Sequence, residues 1–168
     1  MSAADFVQRW HRKANESQDC FDRFFSAWIA LVIKARGHLS AQQLAEPDTD
    51  RIAIIAYFEE RAEAVEAVLQ ALPEQVAWLA RRKGTGTGEP ILDVQPYSPQ
   101  HLRRTFDDLA LVWSGQVRRK LRWVANATAE MINHVRNNMF HGVKAPDDAA
   151  DRELLERINC ILLGMLDA

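Results

Sequence analysis

The feature that most constrains this chain is the recurrence of large apolar residues at steps of three and four along most of its length. That spacing gathers side chains on one face of an α-helix, whereas a half-buried strand needs sustained alternation. The clearest case covers residues 18–36, where Ser17 or Asp19 can cap the start and Gly37 can end the helix. Its apolar face contains Phe21, Phe24, Phe25, Trp28, Ile29 and Val32.

The same rhythm predicts a second helix after Pro47-Asp48, closed by Pro73, which also opens a short helix of its own. The stripe of the second helix is Ile55, Phe58, Ala62, Val65, Leu69 and Leu72, and that of the short helix is Val76, Trp78 and Leu79. Glutamates occupy the other side of the second helix and are expected to face water.

A long helix is predicted from Ser98-Pro99 toward Phe140, with a bend near Asn126 as the alternative. Ser98 would be its N-cap and Pro99 its first helical residue. Its stripe is Leu102, Phe106, Leu109, Trp113, Val117, Leu121 and Val124. A last helix should start at Asp147 or Asp148 and bury Leu155, Ile158, Leu162 and Met165. We therefore expect one all-α domain over 1–168, an up-and-down bundle of four to five helices with 81–98 as an exposed loop excursion.

Charge and cysteine content exclude some classes of protein. Lysine and arginine total 21 against 23 acidic residues, so the net charge of -2 does not indicate a nucleic-acid-binding protein. A local basic patch could still bind nucleic acid. Cys20 and Cys160 are isolated, which indicates neither a disulfide framework nor a zinc knuckle. A polar start and the lack of an apolar run of about 20 residues predict a cytoplasmic protein with no membrane span.

Two apparent ligand motifs fail closer tests. The glycines of 84–88 lack the Gly-Lys-Ser/Thr ending and the preceding strand of a phosphate-binding loop, so a surface linker is expected. His134 and His141 lie seven residues apart, too far along a helix to share a metal directly. We expect no metal and no cofactor.

Basic residues crowd the predicted long helix: Arg103, Arg104, Arg118, Arg119, Lys120 and Arg122. Such a set could line a channel for a phosphate backbone, in which Arg118, Arg119 and Arg122 would bind substrate. It could equally be a solvated helix face that keeps the protein soluble. The pattern by itself leaves both interpretations open.

The string Arg136-Asn137-Asn138-Met139-Phe140-His141-Gly142, with Lys144 close behind, resembles the active-site motif of HEPN domains. The aromatic-rich segment 24–31 and the place of the motif, at the end of a long helix before a terminal helix, are similar to that family as well. The resemblance covers about 19–36 and 99–168. It implies a HEPN-like helical bundle with Arg136, Asn137 and His141 as catalytic residues, and with Asn138 and Lys144 as substrate contacts.

The chemistry of these residue types fits that implication. Arginine can hold a phosphate in a two-pronged grip, and histidine can move protons near neutral pH. On an ideal helix Arg136 and His141 would point about 140° apart, so they converge only if the helix ends at His141, which Gly142 would permit. The alternative is a plain helix end in which both side chains meet the last carbonyl groups.

What the resemblance implies is a metal-independent endoribonuclease, acting as a toxin or defence effector on RNA. It also implies a homodimer with two motifs in one cleft, and an antitoxin or regulatory protein as a further partner. Val143 stands where some toxins of the family carry a tyrosine that a nucleotidyltransferase antitoxin modifies, so control by that route is not expected. The alternatives are a non-catalytic HEPN module that binds nucleotide, RNA or a protein, and a helical adaptor with no site.

Overall fold

The computed structural model describes residues 2–45, 48–81, 100–140 and 148–168, without the side chains of 41, 100–103, 106 and 140. Within these ranges the chain forms nine helices and no strand, so the predicted all-α bundle is confirmed. The helices are α1 (Ala3–Glu16), α2 (Cys20–Arg36), α3 (Ala41–Leu44), α4 (Thr49–Glu60), α5 (Ala62–Ala71), α6 (Pro73–Arg81), α7 (Gln100–Trp113), α8 (Leu121–Phe140) and α9 (Ala149–Asp167).

Helix α2 is the central element and packs against α1, α4 and α9. Its start is fixed by Asp19, whose carboxylate accepts hydrogen bonds from the backbone N–H groups of Phe21 (2.9 Å) and Asp22 (3.2 Å). Phe24, Trp28 and Leu31 are buried along its inner face. The predicted helix and its end before Gly37 are confirmed, with Asp19 as the cap of the two candidates and Cys20 as the first residue.

The prediction of one helix between Pro47 and Pro73 was wrong in its middle, since α4 and α5 are separated at Arg61 (φ -111°, ψ 33°). The Arg61 N–H bonds the carbonyl groups of both Tyr57 and Phe58, a tightened turn that ends α4. The change of direction lets α4 pack against α2 and α8 while α5 packs against α8 and α9. The predicted helix that Pro73 opens is confirmed as α6.

The predicted long helix was also wrong, because α7 ends at Trp113 and α8 begins only at Leu121. Gly115 has a φ of 76°, which favours glycine, and the N–H groups of Gln116 and Val117 both reach back to the carbonyl of Leu111. The break folds the chain so that α7 packs against α8. The expected N-cap at Ser98-Pro99 lies outside the described residues.

Helix α9 completes the core. Asp148 caps it by accepting from the N–H of Asp151 at 2.9 Å, and its four predicted core residues are all fully buried, which confirms that prediction. The core residues of α9 lie against α2, α5 and α6. The predicted 81–98 excursion falls outside the described residues, apart from Arg81 at the end of α6. None of the described helices combines the length and apolar character that crossing a membrane requires.

Candidate functional site

A row of polar side chains runs along α8 on the side that packs against α4. Asn126, Glu130, Asn133 and Asn137 recur at steps of four, three and four, which places them on one helical face. Asn126 donates to the Glu59 carboxylate at 2.6 Å. The apolar periodicity that predicts the helices does not reveal this polar row, although the spacing of the four polar residues in the sequence does.

Glu130 and Arg51 form the central link of this row. The guanidinium of Arg51 donates from Nε to the Glu130 carboxylate at 3.0 Å and makes a second bond from Nη2. Glu130 is only 9% exposed, against 39% for the Arg51 side chain. The hydrogen bond to Glu130 raises the pKa of Arg51, and the guanidinium and the carboxylate largely offset each other's charge.

An open cavity of about 380 Å³ lies beyond this pair, where α8 meets the end of α2 and the start of α4. Its lining contains three arginines, two aspartates, two asparagines and one threonine: Arg36, Arg51, Arg136, Asp48, Asp50, Asn133, Asn137 and Thr49. We call it the Arg136 cavity. It brings together the first two residues of the HEPN-like motif and four charged residues from outside the motif.

Arg136 is held in this cavity by its neighbours. Its Nη1 atom donates to Oδ1 of Asn137 at 3.0 Å, and its Cζ atom lies 5.9 Å from the ring centroid of Trp28. A guanidinium over an indole face gains roughly 0.5–2 kcal/mol, more as it is desolvated. The aromatic helix α2 therefore positions the motif arginine, and Asn137 fixes one edge of its guanidinium.

Asn133 is the most deeply buried side chain of the cavity wall, at 7% exposure. Within the described part of the chain its amide has no hydrogen-bond partner. Its amide atoms are not among the side-chain atoms that are fully buried without a partner, and the residue lines the open cavity. Asn133 thus offers two N–H donors and one acceptor to whatever occupies the cavity.

The first turn of α4 forms another part of the lining. Asp48 occupies its N-cap position with a φ of 60° and makes no side-chain capping hydrogen bond. The positive end of a 12-residue helix dipole therefore faces the cavity together with Thr49, Asp50 and Arg51. Such an end attracts anions, and the Asp48 and Asp50 carboxylates oppose that attraction.

The structure places the other predicted basic residues at the opposite end of α8. Arg118 and Arg119 lie on the segment before α8, not on a continuous helix, and Arg122 is in its first turn. Arg119 pairs with Asp108 at 2.5 Å, and Arg122 with Glu59 at 2.7 Å. None of these three arginines lines the Arg136 cavity, and Arg122 is about 21 Å from Arg136 along the helix axis.

Arg118 and Arg119 instead line a second cavity of about 650 Å³, between α5, α6 and the α7–α8 turn. Asn138 is half-buried on α8 and does not line the Arg136 cavity. His141 and Lys144 lie outside the described residues, as does the end of the motif at Gly142. The convergence of Arg136 and His141 therefore stays a prediction.

Among the described residues, no three His, Cys, Asp or Glu side chains lie together in a group that could hold a metal ion. Comparison with models of known protein families, with curated proteins and with solved structures found no match for this chain.

Proposed function

We propose that this chain is a metal-independent endoribonuclease of the HEPN type. The observation that carries the proposal is that Arg136 and Asn137 line an arginine-containing cavity, in the α8 segment that leads directly to His141. The aromatic face of α2, on which Arg136 rests, supports it further. A plain helix end would need neither the cavity nor the additional arginines of its lining.

The proposed reaction uses groups of this chain alone. The 2′-oxygen of one ribose attacks the adjacent phosphorus while the bond from phosphorus to the 5′-oxygen breaks, giving a 2′,3′-cyclic phosphate and a 5′-hydroxyl. His141 moves a proton in this step, either taking it from the 2′-hydroxyl or giving it to the departing 5′-oxygen. Arg136 binds the non-bridging oxygens as negative charge builds on them, and Asn137 orients Arg136.

The test is cleavage of a defined single-stranded RNA by purified protein in the presence of a strong chelator. We expect cleavage to persist, the products to carry cyclic phosphate and 5′-hydroxyl ends, and a single 2′-deoxy substitution to abolish the cut at its own position. Activity that requires added magnesium or manganese would contradict the mechanism. RNA binding without cleavage would favour the non-catalytic module, and neither activity would favour the adaptor.

We propose further that the working unit is a homodimer in which two motifs face one cleft, since one Arg–His pair offers little to hold and cleave a phosphodiester. Light scattering at micromolar concentration should give twice the chain mass. A role as toxin or defence effector, restrained by an antitoxin or regulatory protein, would appear as growth arrest on expression. That arrest should be absent for His141→Ala, and a stable monomer that still cleaves RNA would contradict the shared cleft.

A further inference from the structure

We infer that the Arg136 cavity is a subsite for a second phosphodiester of the RNA strand, next to the one that is cleaved, with Arg36 and Asn133 as its ligands. The inference rests on the proposed function and adds to it two residues that lie outside the motif. The cavity of about 380 Å³ equals the volume of roughly a dozen water molecules, which is room for a phosphate with its ribose.

Arg36 is the cation in this cavity that a ligand can recruit at low cost. Its Nε atom lies 3.7 Å from Oδ1 of Asp50, beyond hydrogen-bond length, and both side chains are nearly half exposed (47% and 42%). An exposed pair of that length contributes little to stability. Arg51, in contrast, already gives two hydrogen bonds to Glu130 and serves as a fixed charge in the wall.

Asn133 supplies the independent sign that the cavity takes a polar ligand. Its side chain is 7% exposed and lies in the wall with no partner among the described residues, so its amide is available to donate hydrogen bonds to an oxygen bound in the cavity. The start of α4 lies in the same lining and directs its positive dipole end at the same volume. Both features favour an anionic group with hydrogen-bond acceptors.

The charges of the lining select the kind of phosphate. Glu130 offsets the charge of Arg51, and Asp48 and Asp50 oppose the charges of Arg36 and Arg136, so these groups together carry no net charge. A phosphodiester carries one negative charge, whereas a terminal phosphate carries nearly two at neutral pH. A lining without net positive charge tolerates the single charge of an internal phosphate better than the double charge of a strand end.

The test separates binding from cleavage by using a 2′-O-methyl RNA strand, which lacks the attacking hydroxyl. Fluorescence anisotropy at several salt concentrations gives its affinity for the wild-type chain and for variants. We expect Arg36→Ala to weaken binding about tenfold, as loss of a charge-assisted hydrogen bond does. The same variant should reduce the salt dependence by about 0.7, the value for one phosphate contact on a single strand.

Asn133→Leu is the more decisive variant, because a structural role of the amide and a role in ligand binding predict opposite changes in Tm. If the amide serves only the ligand, this substitution should weaken strand binding several-fold and leave Tm unchanged or raised. Arg12→Ala on the exposed face of α1 is the matched control: it also removes an arginine, and we expect it to leave strand affinity and KM unchanged.

Three results would overturn the subsite. They are wild-type affinity in both Arg36→Ala and Asn133→Leu, a clear fall in Tm for Asn133→Leu, and a tenfold gain in affinity on adding a terminal phosphate to the strand. If RNA is cut with unchanged KM in both variants, the subsite fails and the ribonuclease stands. If the strand binds, if both variants lower its affinity as expected, and if RNA is never cut, the subsite stands and the ribonuclease fails.

Discussion

Arg51 and Glu130 join the first turn of α4 to the middle of α8 through two hydrogen bonds from one guanidinium to one carboxylate. This pair links two of the helices whose residues line the Arg136 cavity. Glu130 is nearly buried, so it depends on Arg51 to offset the loss of its hydration.

Glu130→Ala should therefore destabilise the protein by about 1–3 kcal/mol. This is less than the loss expected for a fully buried pair, because the unpaired Arg51 side chain can be solvated. Urea unfolding at pH 7 measures the change. Arg51→Met combined with Glu130→Met should cost less than the sum of the two single changes. Glu153→Ala, which breaks the exposed pair with Arg157 on α9, is the matched control and should change stability by less than about 0.5 kcal/mol. Equal losses in Glu130→Ala and Glu153→Ala would contradict this role of the Arg51 pair.

The proposed catalytic roles predict distinct effects at Arg136 and His141. His141→Ala should lower the cleavage rate by roughly 10²–10⁴-fold with Tm nearly unchanged. Arg136→Ala should weaken both rate and RNA binding, and Arg136→Lys should rescue only in part because the two-pronged geometry is lost. Cleavage kinetics and melting temperature are measured on the same preparations. Parental cleavage by His141→Ala, with a stability loss of about 0.3–1 kcal/mol, would identify a plain helix end instead.

Stability near the start of α2 should depend on pH through Asp19. Burial raises the pKa of this carboxyl, but hydrogen bonds from the Asp22 N–H, from Arg152 and from the Phe21 N–H outweigh it and hold the pKa below its usual value. A lowered pKa means that the folded state favours the charged form. Its stabilisation is therefore present above the unfolded pKa and lost as the pH falls through the folded one.

Asp19→Asn isolates this charge, since asparagine also caps helices well. We expect a loss below about 1 kcal/mol at pH 7, because the pair with Arg152 is exposed to solvent. The difference in the free energy of unfolding between wild type and Asp19→Asn should shrink as the pH is lowered from about 5 toward about 2. This window follows from the ordinary pKa of Asp, about 3.9, and the lowered pKa in the folded state. Asp22→Asn removes a charge from the same turn and serves as the baseline. A stability difference between wild type and Asp19→Asn that does not change with pH would contradict the lowered pKa of Asp19.

Gly164 marks a close contact between α9 and α5. A Cβ atom added there would lie 2.7 Å from Cγ1 of Val68, and valine is stiff about χ1 and cannot easily turn away. Gly164→Ala should destabilise by about 1 kcal/mol net, since overpacking outweighs the better helix propensity of alanine. Thermal or urea unfolding of Gly164→Ala, Val68→Ala and the double variant tests it. The double variant should recover stability relative to Gly164→Ala, and an additive loss would contradict the contact.

Local sequence signals were sufficient for two helices and their caps. The aromatic face of α2 and the aspartates Asp19 and Asp148 lie within a few residues of the ends they define, so short-range hydrogen bonding made those ends predictable. The breaks at Arg61 and at Ser114-Gly115 were missed because the apolar rhythm continues through both. A rhythm of three and four records which face is apolar, and it is insensitive to a turn between two helices that each keep it.

The sequence by itself determined that this chain is helical and that α2 and α9 begin near Asp19 and Asp148, and it predicted a HEPN-like motif that contains Arg136 and Asn137. Only the tertiary structure decided which groups share a cavity with that motif, because Arg36, Arg51 and Trp28 reach Arg136 from helices far away in the chain. It also placed Arg118, Arg119 and Arg122 at the other end of α8. The physical reason is that helix formation follows from local periodicity and capping, whereas a charged cavity follows from how buried helix faces pack.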